Sequence, residues 1–247
     1  MRPQRVLLDR GIALSYIAAC ALLAGCPRQP APLVPQPLAP VDRDSAVAWS
    51  RATLPTRYTA IRFRWKYQDD QKRWGGRGQA RIAPPDSLRF DYVGPLGLGA
   101  GAAAIVGDSA IWADPEKNFR SLIPAVRMLW AALGIVRPPA PDALVFGGGG
   151  GGAGAAGGAD SSVRIWRLAA DGDTLDYRET RGGARVLEAE WRREGKVLAR
   201  SRTELDAQRM PARARMDFPE ERARFELTVV LVDTAAVLDP AIWRGRR

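Results

Sequence analysis

Histidine is absent from the 247-residue chain, and cysteine occurs only twice, at Cys20 and Cys26. Without an imidazole there is no Ser-His-Asp or Cys-His catalysis, no His-ligated zinc and no imidazole acid–base chemistry. Two thiols are too few for a four-cysteine zinc site or an iron–sulfur cluster. Lysine is also scarce, found only at positions 66, 72, 117 and 196, so the formal net charge of +10 is almost wholly arginine. Arginine, alanine and glycine rise together here, as they do in GC-rich coding sequences, which makes the charge a weak functional signal. A basic surface nevertheless favours anionic lipid headgroups.

What is present begins with a charged start. Arg2, Arg5 and Arg10 precede an uncharged apolar stretch, Gly11 to Gly25, too short to cross a bilayer comfortably and of the length of a secretory signal core. It ends in Leu23-Ala24-Gly25-Cys26, which resembles the lipobox of bacterial lipoproteins. The resemblance implies a diacylglyceryl group on the Cys26 thiol, cleavage before Cys26 and acylation of the new amine. Small residues flank such a cut because the peptidase must close around the backbone, and the thiol is the nucleophile. The other readings are a plain N-terminal anchor helix, or a secreted protein with a chance cysteine. Several acyl chains together anchor a protein almost permanently, where one chain alone is marginal.

On the lipoprotein reading, residues 1–25 are a signal peptide. Cys20, three arginines and Asp9 leave with it, so the formal charge falls from +10 to +8 and Cys26 is the only cysteine left. No internal disulfide is then possible, even in an oxidising compartment. The only cofactor expected is the covalent lipid. Nucleic acid is not an expected partner of an exported, tethered chain.

Residues 26–43 read as the lipidated cysteine and a Pro-rich tether. PRQPAPLVPQPLAP (27–40) favours extended polyproline II and would reach roughly 40 Å at ~3.1 Å per residue. A short helix is predicted from about Asp44 to Leu54, capped by Asp42 or Asp44 and stopped by Pro55. The period then changes to two. Ile61, Phe63, Trp65 and Tyr67 alternate with Arg62, Arg64 and Lys66, predicting a strand with one buried face. A turn over 69–76 leads to strands at 77–83 and 88–93, and Gly107-Asp108 turns a hairpin between 100–106 and 109–113.

One segment is helical in period. Phe119, Leu122, Ile123, Val126, Leu129, Trp130 and Leu133 form an apolar stripe, with Ser121 as N-cap, Pro124 in the first turn and Gly134 at the end. Such a stripe is more often plain core packing than a lipid contact. The run GGGGGGAGAAGG (147–158) predicts a disordered loop spanning about 147–160, and it lacks the lysine of a phosphate-binding loop. Strands follow at 163–168, 174–180, 185–193, 196–205, 213–218 and 223–232. The expected fold is mainly β with helices: an antiparallel, strongly curved open half-barrel with a helical lid.

Three local motifs carry a further resemblance. Gly94-Pro95-Leu96-Gly97 is similar to the Asn-Pro-Leu-Gly loop of LolB proteins. Ile123-Pro124 leading to Leu133-Gly134 is similar to the family's lid helix, with Trp130 one place early, and Met210-Pro211-Ala212 precedes the last two strands. Their order and spacing over residues 45–232 resemble the LolA/LolB family, the periplasmic carrier and outer-membrane receptor of lipoproteins. The resemblance implies a single LolA/LolB-like domain over 44–243 with an apolar cavity. LolB, unlike LolA, is itself a lipoprotein, which agrees with Cys26.

By that resemblance Leu96, with Leu98 beside it, is a membrane-insertion loop, and the cavity is lined by Phe63, Trp65, Phe90, Tyr92, Leu129 and Trp130. The implied partners are membrane lipid, a periplasmic LolA-like carrier and acylated lipoproteins, with the chain acting as a monomer on the periplasmic face of the outer membrane. Pro27, where Asp commonly signals inner-membrane retention, favours that placement. The long spacer and the glycine run depart from typical LolB, and LolA-like lipoproteins of other roles share the fold. The alternative is therefore a structural or interaction lipoprotein of the envelope. Catalysis is not expected: Asp69-Asp70 falls in a turn and Glu188 and Glu190 on one strand face, both ordinary solvated arrangements, and no metal ligands are grouped.

Overall fold

In the computed structural model, strands are the main regular element; the residues described are 32–34, 38–97, 99–148 and 162–243. The expected signal peptide, Cys26, Leu98 and residues 149–161 of the glycine-rich loop lie outside the described residues. The elements below belong to one compact unit, Leu33–Arg247.

The chain enters through β1 (Ala39–Pro40) and α1 (Arg43–Thr53), then runs through β2 (Thr59–Gln68), β3 (Arg73–Ala83), β4 (Ser87–Val93), β5 (Gly101–Val106) and β6 (Ser109–Asp114). Two short helices follow, α2 (Glu116–Leu122) and α3 (Val126–Ala132). The remaining strands are β7 (Leu144–Gly148), β8 (Val163–Ala170), β9 (Asp173–Thr180), β10 (Arg185–Arg193), β11 (Lys196–Leu205), β12 (Pro211–Phe218) and β13 (Ala223–Asp233). All thirteen join one antiparallel sheet in the order β1-β7-β8-β9-β10-β11-β12-β13-β2-β3-β4-β5-β6.

This corrects the expected half-barrel. The sheet is open, with β1 and β6 as its two edges, and it is neither closed nor strongly curved. Among the described residues its ladders shift register at only four places: Ala104/Ile105, Trp191/Arg192, Glu204/Leu205 and Val229/Leu231. Bulges are what bend strands sharply, and long, mostly regular ladders supply few of them.

The expected lid helix is also different. Pro124 has no N–H to donate and disfavours the helical conformation at the residue before it. Ile123 accordingly sits at φ −131°, ψ 75°, and the predicted helix is split into α2 and α3. Ser121 lies inside α2 and caps nothing; the predicted end at Gly134 is where the structure has it, at φ +78°. Met128, Leu129 and Trp130 are fully buried. The Trp130 indole donates to the Gly107 carbonyl (2.7 Å), and the Thr203 hydroxyl donates to the Ala131 carbonyl (2.8 Å). The helical stripe is thus core.

β3 explains the other misplaced boundary. The sequence places a turn over 69–76, yet the strand already begins at Arg73 and carries Gly75, Gly76 and Gly78 within it. The register sets Phe63 opposite Gly78 and Trp65 opposite Gly76. A Cβ at Gly78 would lie 2.5 Å from the Phe63 ring and 2.7 Å from the Asp91 carbonyl oxygen. The β2 rings therefore lie across the positions that β3 leaves without side chains. Gly147 and Gly148, read as loop, end β7, and a Cβ on Gly147 would already touch Val41 at 3.1 Å.

α1 is fixed as its cap predicts: the Asp42 carboxylate accepts from the Asp44 N–H (3.2 Å). Its Trp49 stacks on Trp166 and donates to the buried carboxylate of Glu179 (3.2 Å). That carboxylate also accepts from Arg209 (3.1 Å) and Arg181 (3.2 Å). Burial pushes its pKa up, but Arg209 and Arg181 outweigh this and hold it below the ordinary 4.5.

Two outcomes follow from this packing. Gly78→Ala should cost about 1–3 kcal/mol, because the added methyl meets both a core ring and backbone; urea unfolding measures it. Because the folded pKa of Glu179 is depressed, the stability it contributes is present above about pH 4.5 and is lost as the pH falls through the folded value. Glu179→Gln should be less stable by about 3 kcal/mol at neutral pH, since it leaves buried guanidinium uncompensated. It should also lose less on acidification than the parent, as denaturant unfolding at neutral and acid pH would read.

Candidate functional site

The connection from β4 to β5 is Gly94-Pro95-Leu96-Gly97, followed by Leu98, which is outside the described residues. Pro95–Gly97 form a single tight turn, closed by the Gly97 N–H donating to the Gly94 carbonyl (3.3 Å). Leu96 stands at φ 54°, ψ 21°, the left-handed region, which a branched residue occupies at a cost of about 1–2 kcal/mol. Gly97 follows at φ 83°, with no atom near the space its Cβ would fill. The result is a leucine 99% exposed. Transfer of such a side chain out of water is favourable by about 1.5–3 kcal/mol, so a strained turn that holds it in water is unusual for a folding role.

Beside the turn lies a shallow depression of about 470 Å³ lined by Arg64, Gly76, Arg77 and the turn itself. A second, of about 400 Å³, continues along the outer face between Arg62, Arg64, Arg77, Gln79, Asp91, Val93 and Val230. The alternation of β2 identifies Arg62 and Arg64 as outward, but sequence alone does not show that Arg77 is their cross-strand neighbour next to Leu96. The Arg64–Arg77 pairing in the β2–β3 ladder brings these together.

The six residues expected to line a cavity are all buried. Phe63 stacks on Phe90 at 5.2 Å, Trp65 on Phe225 at 6.0 Å and edge-on to Tyr92 at 6.2 Å, while Phe90 also meets Phe119 at 6.4 Å. Leu129 and Trp130 join the same core from α3. The structure thus brings the six into one packed cluster, with Leu96 outside it.

The carboxylates weighed for acid–base work have assigned tasks. Asp69 accepts from the N–H groups of Gln71 (2.8 Å) and Lys72 (2.7 Å), and these bonds, the Gln71 one foremost, lower its pKa. Asp70 pairs with Arg222 (3.2 Å) and Glu188 with Arg202 (2.7 Å). Glu190 is not solvated as expected: it is fully buried, held by Arg192 (2.6 Å) and Arg200 (2.5 Å), and accepts from the Leu33 N–H (3.3 Å). Its cross-strand neighbour Asp176 is equally buried and paired with Arg167 (2.7 Å). Part of the expected spacer is therefore docked on the sheet, with Val34 fully buried and Ala39–Pro40 paired to β7. Among the described residues no three His, Cys, Asp or Glu side chains are grouped to hold a metal, and no helix is long and apolar enough to cross a membrane.

No family model matches the sequence, and no curated protein is similar to it in sequence. Solved structures are similar in shape. The crystal structure of a putative outer membrane lipoprotein-sorting protein domain from Vibrio parahaemolyticus aligns over 82% of this chain and 97% of its own, with 9% identity and a TM-score of 0.51. A LolA superfamily protein from Nitrosomonas europaea covers the same shares at 12% identity, with a TM-score of 0.43, too low to carry an argument. At these identities the likeness is one of fold. The chain therefore has the fold of a domain of the kind described, in the Vibrio protein, as lipoprotein-sorting.

Proposed function

We propose that this chain is a lipoprotein, anchored through Cys26 in the cell envelope, that passes acylated cargo to the outer membrane by way of its Leu96 turn. The observation that carries the reading is Leu96 itself: a leucine held in left-handed backbone, 99% exposed. A bilayer accepts that side chain where water does not, so contact with lipid relieves what the turn holds ready. The shared fold with the Vibrio domain, and the resemblance of the Pro-Leu-Gly loop to that of LolB, support the same direction.

Transfer in this scheme is non-covalent. A LolA-like carrier supplies the acylated protein, the Cys26 anchor keeps the domain near its target, and the Leu96 turn opens the way into the lipid. The alternative, an interaction lipoprotein that docks another envelope component, is favoured by one observation: Phe63, Trp65, Phe90 and Tyr92 are packed ring against ring. Docking needs no space among them, whereas holding an acyl chain there requires the rings to part.

The test is transfer of a fluorescent acylated lipoprotein from a LolA-like carrier to liposomes. The wild type should bind the cargo and deliver it; neither binding nor transfer would sink the reading and leave the docking alternative. Leu96→Glu should bind cargo normally and lose delivery at least tenfold, while unchanged delivery removes Leu96 from the scheme. Cys26→Ser should abolish incorporation of labelled palmitate in a bacterial host; labelling that persists would place the lipid elsewhere.

A further inference from the structure

From the surroundings of Leu96 we infer that the outer face of β2 and β3 is a binding platform for the phosphates of anionic phospholipid, which orients the Leu96 turn onto a negatively charged bilayer. The inference deepens the proposed function and rests on it for the presence of a membrane at this face.

Four observations carry it. Arg62, Arg64 and Arg77 are exposed and make no ion pair among the described residues. Arg64 and Arg77 are cross-strand partners and together line the depression that contains Leu96. Arg62, Arg64 and Arg77 then line the adjoining groove of about 400 Å³. The only carboxylate on that groove, Asp91, is already taken by Arg81 (2.7 Å) and Arg89 (2.9 Å), so it does not neutralise the three.

Elsewhere on the sheet many arginines are matched, as Arg202 is with Glu188, Arg215 and Arg224 with Asp217 and Arg193 with Asp173. Arg73, Arg164, Arg185 and Arg213 have no ion pair among the described residues, but they line neither depression. Lys66, the next outward residue of β2, stands across from Glu226 on β13. What sets Arg62, Arg64 and Arg77 apart is that they are unmatched and together line the depressions beside the turn. Each exposes a planar guanidinium suited to two phosphate oxygens at once. Apolar surface lies among them, from Val230, 63% exposed, and Val93. A face that offers unpaired guanidinium beside exposed apolar side chains complements the headgroup layer of an anionic membrane, with its phosphates above and acyl chains below.

The experiment uses the unit Leu33–Arg247, which carries every described strand and helix and the whole core, so that neither lipid nor signal segment contributes. Flotation with vesicles of phosphatidylcholine alone and of phosphatidylcholine with about one-third phosphatidylglycerol is compared at low and high salt. The expected result is binding to the phosphatidylglycerol vesicles that weakens with salt. Arg62→Gln/Arg64→Gln/Arg77→Gln should reduce it by roughly a hundredfold, at the usual contribution of a basic side chain near such a surface. Arg51→Gln/Arg57→Gln, away from the turn, should leave it unchanged.

Equal loss in the control pair would show attraction by net charge alone and overturn the platform. So would displacement by inorganic phosphate well beyond that of chloride at matched ionic strength, which would mark a site for the free anion. If the triple variant binds as the parent does while Leu96→Glu abolishes delivery, the platform fails and the proposed function stands. If the triple variant loses binding while Leu96→Glu delivers normally, the platform stands and Leu96 has no part in delivery.

Discussion

The packing of aromatic rings across glycines of a neighbouring strand is the interaction on which the rest of this structure depends. Phe63 and Trp65 project from β2 towards positions on β3 where Gly78 and Gly76 offer no side chain. Gly101 on β5 repeats the device for the Tyr92 ring. Space that a Cβ would fill is given to rings, which lets four aromatic residues on two nearby strands stack closely against Phe119 and Phe225. The same register that sets these rings inward sets Arg62, Arg64 and Arg77 outward, because successive side chains on a strand point to opposite faces. The outward row next to Leu96 is thus fixed by the inward one.

Much of the sheet was legible in the sequence. The alternation of Ile61 to Tyr67 with Arg62 to Lys66, and the boundaries of β10 and β11, follow directly from period-two patterning and Gly-bearing turns. What failed did so for physical reasons. The glycines of β3 read as turn because the local signal for glycine is a turn, while the reason they are tolerated is a ring on another strand. The apolar stripe from Phe119 to Leu133 reads as one helical period across Pro124, since both short helices bury their apolar residues in the same core. The strong curvature expected of the sheet failed because bending depends on bulges spread along paired strands, which no local pattern encodes.

The site divides in the same way. Leu96 is singled out only through the resemblance of its Pro-Leu-Gly sequence, and its left-handed backbone is not read from that sequence. Its neighbours Arg64 and Arg77 were not legible, since they are brought together by a pairing thirteen residues apart along the chain. Glu190 was misread as solvated because it is held by Arg192, Arg200 and the N–H of Leu33, the last in a proline-rich segment whose composition gives no sign of docking.

The strand order has a consequence for how the chain reaches this state. β2, the first long strand described, lies in the interior of the sheet, between β3 and β13, and β13 is the last of the described strands in chain order. Until β13 arrives, one side of β2 is an unpaired edge with Phe63, Trp65 and Tyr67 on a single face, the kind of surface that pairs with other chains. Closing that ladder spans nearly the whole domain, and loops of such length form slowly. During folding the chain therefore passes through an interval in which its most aromatic described strand is exposed, and its folding yield depends on how well that edge is shielded until β13 pairs with it.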